Sequence, residues 1–121
     1  MNEKTKSWLL VIVYACLIFY LSSQPYLAES IPPEIEEIDP ENIILHICEY
    51  SILGFLLLKA TGEEKLFLSF ALGSFYGITD EIHQSFVPNR TSSPIDAIAD
   101  SVGVIMGIYL RRKLSVRGSH S

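Results

Sequence analysis

The eleven residues Asp80-Glu81-Ile82-His83-Gln84-Ser85-Phe86-Val87-Pro88-Asn89-Arg90 bring together two carboxylates, an imidazole, an amide and a guanidinium. They follow the apolar segment Leu66–Ile78, and another apolar segment comes after them. At the centre of a bilayer an ionisable side chain costs about 2.5–3.5 kcal/mol on insertion scales. Such groups persist where they pair, reach water or serve a function. Asp80, Glu81, His83 and Asp96 are the candidates for acid–base chemistry. Two close carboxylates push one pKa up, which leaves one group as acid and the other as base. Neighbouring Asp80 and Glu81 point about 100° apart on a helix, so Asp80 with Asp96 or Asp100 makes the better pair. Such a pair can hydrolyse or transfer a group on a lipid-linked substrate. No serine or cysteine nucleophile is clearly placed, and there is no glycine loop to cradle a phosphate.

The same side chains can hold a divalent cation. Glu49, Asp80, Glu81, Asp96 and Asp100, with His46 or His83, supply suitable ligands. The leading metal candidates are His46, Asp80, Asp96 and Asp100. No His-x-x-x-His or other dedicated spacing is present. Five carboxylates face one nearby cation, Arg90, and must therefore be protonated, solvated, metal-bound or paired. The plainer reading is a hydrogen-bonded network that locks helices together. His83 can bond Asp80 across one turn or sit solvated at the interface. Arg90 can anchor a headgroup, hold a lipid phosphate, or close the site on Asp96 or Glu49.

The elements that must position these groups are apolar. Of the 121 residues, 49% are hydrophobic and only 19% charged, and the mean hydropathy is +0.31. The apolar residues fall in four blocks, Trp8–Leu21, Ile43–Ala60, Leu66–Ile78 and Ile95–Leu110. With flanking residues, each approaches the roughly 20 residues that a helix needs to span hydrocarbon. A soluble four-helix bundle would show a polar face along each helix. Trp8–Leu21 is apolar all round, which favours the membrane. The expected fold is all-α, an integral membrane bundle of four transmembrane helices.

Charge sets the orientation. Lys4 and Lys6 precede the first block, Lys59 and Lys65 flank the Thr61–Glu64 turn, and Arg111, Arg112, Lys113 and Arg117 follow the fourth block. The loop between the first two blocks carries Glu29, Glu34, Glu36, Glu37, Asp39 and Glu41 and no basic residue. Positive residues stay inside, so both termini are expected in the cytoplasm. The acidic loop and Asp80–Arg90 then lie on the extracytoplasmic side of a multi-pass plasma-membrane protein. The first block lacks a convincing signal-cleavage site, since Ser22-Ser23-Gln24-Pro25 follows it, and reads as a retained helix. Residues 1–116 form one domain, and residues 117–121 read as an expression-vector remnant. Cys16 and Cys48 lie in apolar blocks and read as inert packing residues.

Helix one is expected to end near Ser22–Gln24, with Pro25 as its stop. Pro40-Glu41-Asn42 suits the start of helix two. Helix three begins near Glu63–Lys65 and runs on through Asp80–Gln84, before Pro88. Ser92 or Ser93 caps helix four, with Pro94 in its first turn. Gly73, Gly77, Asp80 and Gln84 line one face of helix three, and Asp96, Asp100, Gly103 and Gly107 line one face of helix four. Small residues let membrane helices approach closely, so the two stripes are expected to pack together. That gathers Asp80, Gln84, Asp96 and Asp100 near the outer surface. Helix two adds His46, Glu49 and Tyr50 from its first turns.

This constellation resembles the VanZ-like membrane protein family over nearly the whole chain. The resemblance rests on Phe19-Tyr20-Leu21-Ser22-Ser23-Gln24-Pro25, on His46-x-x-x-Tyr50 and Gly54, and on Tyr76-Gly77-x-x-Asp80-Glu81-x-His83-Gln84-x-Phe86-x-Pro88-x-Arg90. Asp96, Asp100, Gly103 and Gly107 complete it. Asn89 stands where the family often has glycine, and Asp100 where it often has asparagine. The resemblance implies a small multi-helix membrane protein linked to glycopeptide resistance, to teicoplanin in particular, and implies no established reaction.

The expected ligand site is a polar pocket of His46, Glu49, Tyr50, Asp80, Glu81, His83, Gln84, Arg90, Asp96 and Asp100. It would bind a lipid headgroup, a wall precursor or the antibiotic's acyl chain. The alternatives are a carboxylate- or metal-dependent enzyme acting on a lipid-linked envelope substrate, and a scaffold for a larger membrane complex. Expected partners are membrane lipids and a lipid-linked cell-wall precursor or lipoglycopeptide; nucleic acid is not among them. A divalent metal is the one cofactor considered.

Overall fold

A computed structural model describes residues 2–23, 43–87 and 94–119, with side chains described as far as Ser115. The described residues form four helices and no strand: α1 (Glu3–Ser22), α2 (Ile43–Thr61), α3 (Leu66–Gln84) and α4 (Pro94–Ser119).

Local chemistry explains the boundaries. Asn2 caps α1, its side-chain oxygen accepting from the Thr5 N–H at 2.7 Å, and Glu3 sits in the positive first turn. Ser23 closes α1 by donating its hydroxyl to the Phe19 carbonyl at 2.8 Å. At the end of α2, Gly62 adopts φ +123°, a region that side chains disfavour. Its N–H bonds the Leu58 carbonyl at 2.9 Å, and its own carbonyl accepts from Lys65 at 3.0 Å. This tight turn delivers the chain into α3, which continues through Asp80–Gln84 as the sequence suggests. Pro94 opens α4, where its missing N–H is no loss. The expected signals at Pro25, Pro40–Asn42, Pro88 and Ser92–Ser93 lie outside the described residues.

Helix α2 is the hub, packing on α4 most extensively and also on α1 and α3. Gly54 lies against the Val104 backbone, Gly103 against the Ile47 backbone and the Tyr50 side chain, and Gly107 against the Ser51 carbonyl. Three glycines thus let two backbones meet, where larger residues would hold them apart. This corrects one expectation from the sequence. The Gly103/Gly107 stripe faces α2, because Gly54 gives α2 the complementary hollow. Gly73 and Gly77 of α3 do face α4, meeting Val104 and Asp100.

Val11, Ile18, Tyr50, Leu53, Leu57, Leu58, Ala60, Val104 and Ile108 form the apolar core. Two tyrosines tie α1 to the bundle, Tyr14 donating to the Glu49 carbonyl at 2.8 Å and Tyr76 to the Ala15 carbonyl. Cys16 and Cys48 are exposed, which corrects their assignment as packing residues. At one end of the bundle Arg111 pairs with Glu63 at 2.8 Å, fastening the α2–α3 turn to the last turns of α4.

Apolar side chains are not confined to the core. Large apolar side chains point outward on every helix, among them Val13, Ile52, Phe75 and Ile105. Asp80, Glu81, Gln84, Asp96 and Asp100 are buried instead. In water this would expose apolar surface and bury charge together, each unfavourable. Two helices, α1 and α2, are long and apolar enough to cross a membrane.

Candidate functional site

The alternating chain direction sets the first turns of α2, the last turns of α3 and the first turns of α4 at one end of the bundle. Asp100 is the centre of what gathers there. Its side chain is fully buried, and one carboxylate oxygen meets His46 Nδ1 at 2.7 Å, joining α4 to α2. The His46 side chain keeps 14% of its surface exposed, so the pair has an edge open to the surroundings. One turn along α2, the Tyr50 hydroxyl donates to Asp80 of α3 at 3.0 Å. These two contacts tie three helices through polar side chains.

Glu81 completes a triad. One ligand atom from each of His46, Glu81 and Asp100 lies within 4.8 Å of the others. Asp96, one turn before Asp100, is buried and acts electrostatically on both His46 and Asp100. Asp80 also lies within electrostatic reach of Asp100. Gln84 is buried one turn beyond Asp80, and Glu49 is half-buried beside Tyr50. One oxygen of Asp80 and one of Asp100 are buried without a hydrogen-bond partner among the described residues. Gly77 makes room for Asp100: a Cβ there would lie 2.9 Å from the Asp100 Cβ.

One expectation needs correction. His83 does not bond Asp80; its Nε2 lies 2.8 Å from the Ser23 hydroxyl, and its ring stacks on Phe19 with centroids 4.3 Å apart. Its direction on the helix carries it toward α1, so it latches α1 to α3. Of the ligands that the sequence offers, His46, Glu81 and Asp100 are the ones that converge, so Glu81 stands in the triad where Asp80 and Asp96 had been the leading candidates. Glu81 stands about 100° from Asp80 around the helix. That angle separates the two from each other but turns Glu81 toward His46. Ser23 and Phe19 had drawn no functional reading, and no spacing within a single helix could have paired them with His83. Arg90 lies outside the described residues.

The arrangement offers carboxylates and one imidazole, with the described lysines and arginines toward the opposite end of the bundle. It can bind a cation, share protons between carboxylates, or hold three helices in register. An apolar hollow of about 450 Å³ on the α2–α4 flank, lined by Ser51, Ile105, Met106, Tyr109 and Leu110, includes none of these groups.

No curated protein and no solved structure gives a significant match to the chain. A family model described as VanZ/LLP1 matches residues 7–115, a span that takes in most of α1, the whole polar cluster and most of α4, and the chain therefore belongs to the VanZ/LLP1 family.

Proposed function

We propose that this chain crosses the plasma membrane four times with both termini in the cytoplasm. Its polar cluster then lies at the extracytoplasmic end, where it binds an envelope ligand and lowers susceptibility to glycopeptide antibiotics of the teicoplanin type. The ligand is a lipid headgroup, a wall precursor or the antibiotic's acyl chain. Outward apolar side chains on all four helices support the spanning arrangement. Lys59, Lys65, Arg111 and Arg112 at the end opposite the carboxylates support the orientation. Membership of the VanZ/LLP1 family supports the link to resistance.

One observation carries the binding reading. Buried polar groups from three helices converge, through His46–Asp100 and Tyr50–Asp80. Buried ionisable groups in a membrane bundle mark functional sites by default. The test compares teicoplanin susceptibility of cells making the wild-type chain, Asp80→Asn, or no chain, at matched membrane abundance. The wild-type chain raises the inhibitory concentration and Asp80→Asn loses part of that rise. Equal susceptibility in all three contradicts the proposal.

A second reading is an enzyme acting on a lipid-linked substrate, favoured by the approach of His46, Glu81 and Asp100. An enzyme loses all protection when Asp80 or Asp96 becomes asparagine with the fold kept. A binder shows graded loss.

A further inference from the structure

We infer that the cluster holds one divalent first-row transition-metal cation, ligated by His46, Glu81 and Asp100, with an open position for an anionic oxygen of the ligand. This rests on the reading of the cluster as the ligand site and gives it a chemistry.

Distance is the first argument. Bonds to such a cation run about 2.0–2.3 Å, so ligands on opposite sides stand roughly 4–4.6 Å apart and adjacent ones closer. The three donor atoms lie within 4.8 Å of one another, and His46 Nδ1 and the Asp100 oxygen lie 2.7 Å apart. Donors this close can share one ion after side-chain adjustment.

Burial is the second. The Asp100 side chain is wholly inaccessible, and one of its oxygens has no hydrogen-bond partner among the described residues. A buried carboxylate oxygen without a donor is costly, and a cation removes that cost. Gly77 reinforces the point, because its missing side chain is the space that the Asp100 carboxylate fills. Tyr50 in turn fixes Asp80 beside the site, where it adds negative charge within electrostatic reach of Asp100.

The donor set then selects the ion and the ligand. Calcium and magnesium sites are built from oxygen, whereas one imidazole with two carboxylates suits zinc or manganese. A cluster rich in carboxylates repels a phosphate or a carboxylate. A cation bound by three protein groups attracts either one at its open position. The ligand class that follows is an anionic headgroup or precursor, held through the metal.

The test uses the full chain purified in detergent, stripped with a chelator and titrated with Mn²⁺ followed by electron paramagnetic resonance. The wild-type chain takes up one Mn²⁺ per chain, and Zn²⁺ displaces it. Glu81→Gln and Asp100→Asn each weaken Mn²⁺ binding by at least about tenfold. Glu64→Gln, which removes an exposed carboxylate in the α2–α3 turn, leaves binding unchanged. Thermal unfolding of each variant establishes that it is folded. Added Zn²⁺ raises the unfolding temperature of the wild-type chain and not that of Glu81→Gln. A folded wild-type chain that takes up no Mn²⁺ or Zn²⁺, or equal uptake by wild type, Glu81→Gln and Asp100→Asn, overturns the metal site. If the ion-free chain still protects cells against teicoplanin, the metal fails and the binding reading stands. If the chain binds the ion and protects no cells, the metal stands and the binding reading fails.

Discussion

Gly77 of α3 and Asp100 of α4 fit as hollow and knob: a Cβ on residue 77 would stand 2.9 Å from the Asp100 Cβ and 3.1 Å from one of its carboxylate oxygens. A glycine thus decides where the fully buried Asp100 carboxylate sits. Packing and chemistry meet at this contact, since the same Asp100 reaches His46 across to α2.

Gly77→Ala is therefore expected to displace Asp100 and disturb its contact with His46. Overpacking of this kind costs about 1–3 kcal/mol. Unfolding in detergent shows the loss of stability, and protection against teicoplanin falls with it.

The α2–α4 contact is less forgiving. A Cβ at Gly107 meets the backbone carbonyl of Ser51, which cannot swing aside. At Gly73 the nearest atoms are the Val104 methyls, at 2.7 and 2.8 Å, which can rotate. Gly107→Ala is expected to lower the unfolding temperature more than Gly73→Ala. Equal shifts would show that the two helices separate easily.

Tyr50→Phe removes the donor to a buried oxygen of Asp80 and is expected to cost about 1–3 kcal/mol. The double variant Tyr50→Phe/Asp80→Leu replaces both partners with apolar groups of similar shape. It is expected to regain most of the stability and none of the protection. Those two readouts separate what the pair does for the fold from what it does for function.

Arg111 and Glu63 form an ion pair at the other end of the bundle, with side chains 26% and 32% exposed. Pairs that water still reaches contribute about 0–1 kcal/mol. Arg111→Gln is expected to leave protection unchanged at equal abundance and to shift the unfolding temperature little.

Much of this was legible in the sequence because helical periodicity reports faces. The stripe Gly73, Gly77, Asp80, Gln84 and the stripe Asp96, Asp100, Gly103, Gly107 each occupy one side of a helix. The charged residues in the turns mark which ends lie together. Periodicity does not say which neighbour a face meets. Gly103 and Gly107 turn to α2 because Gly54 receives Val104 there, a fact about two helices at once. His83 shares a turn with Asp80 yet belongs to α1, through Phe19 and Ser23 some sixty residues earlier in the chain. The angle of about 100° between Asp80 and Glu81 was legible, but that it turns Glu81 toward His46 depends on where α2 packs.

The proposed envelope-ligand site requires the polar cluster to face the outside of the cell, and surface labelling tests this directly. In a chain with Cys16→Ala and Cys48→Ala, one cysteine is placed by Phe86→Cys, just beyond the cluster end of α3, or by Glu64→Cys in the opposite turn. Both positions are exposed. A membrane-impermeant thiol reagent applied to intact cells is expected to label position 86, and to reach position 64 only after the membrane is permeabilised. Labelling of position 64 in intact cells, with position 86 protected until permeabilisation, would contradict the outward-facing site.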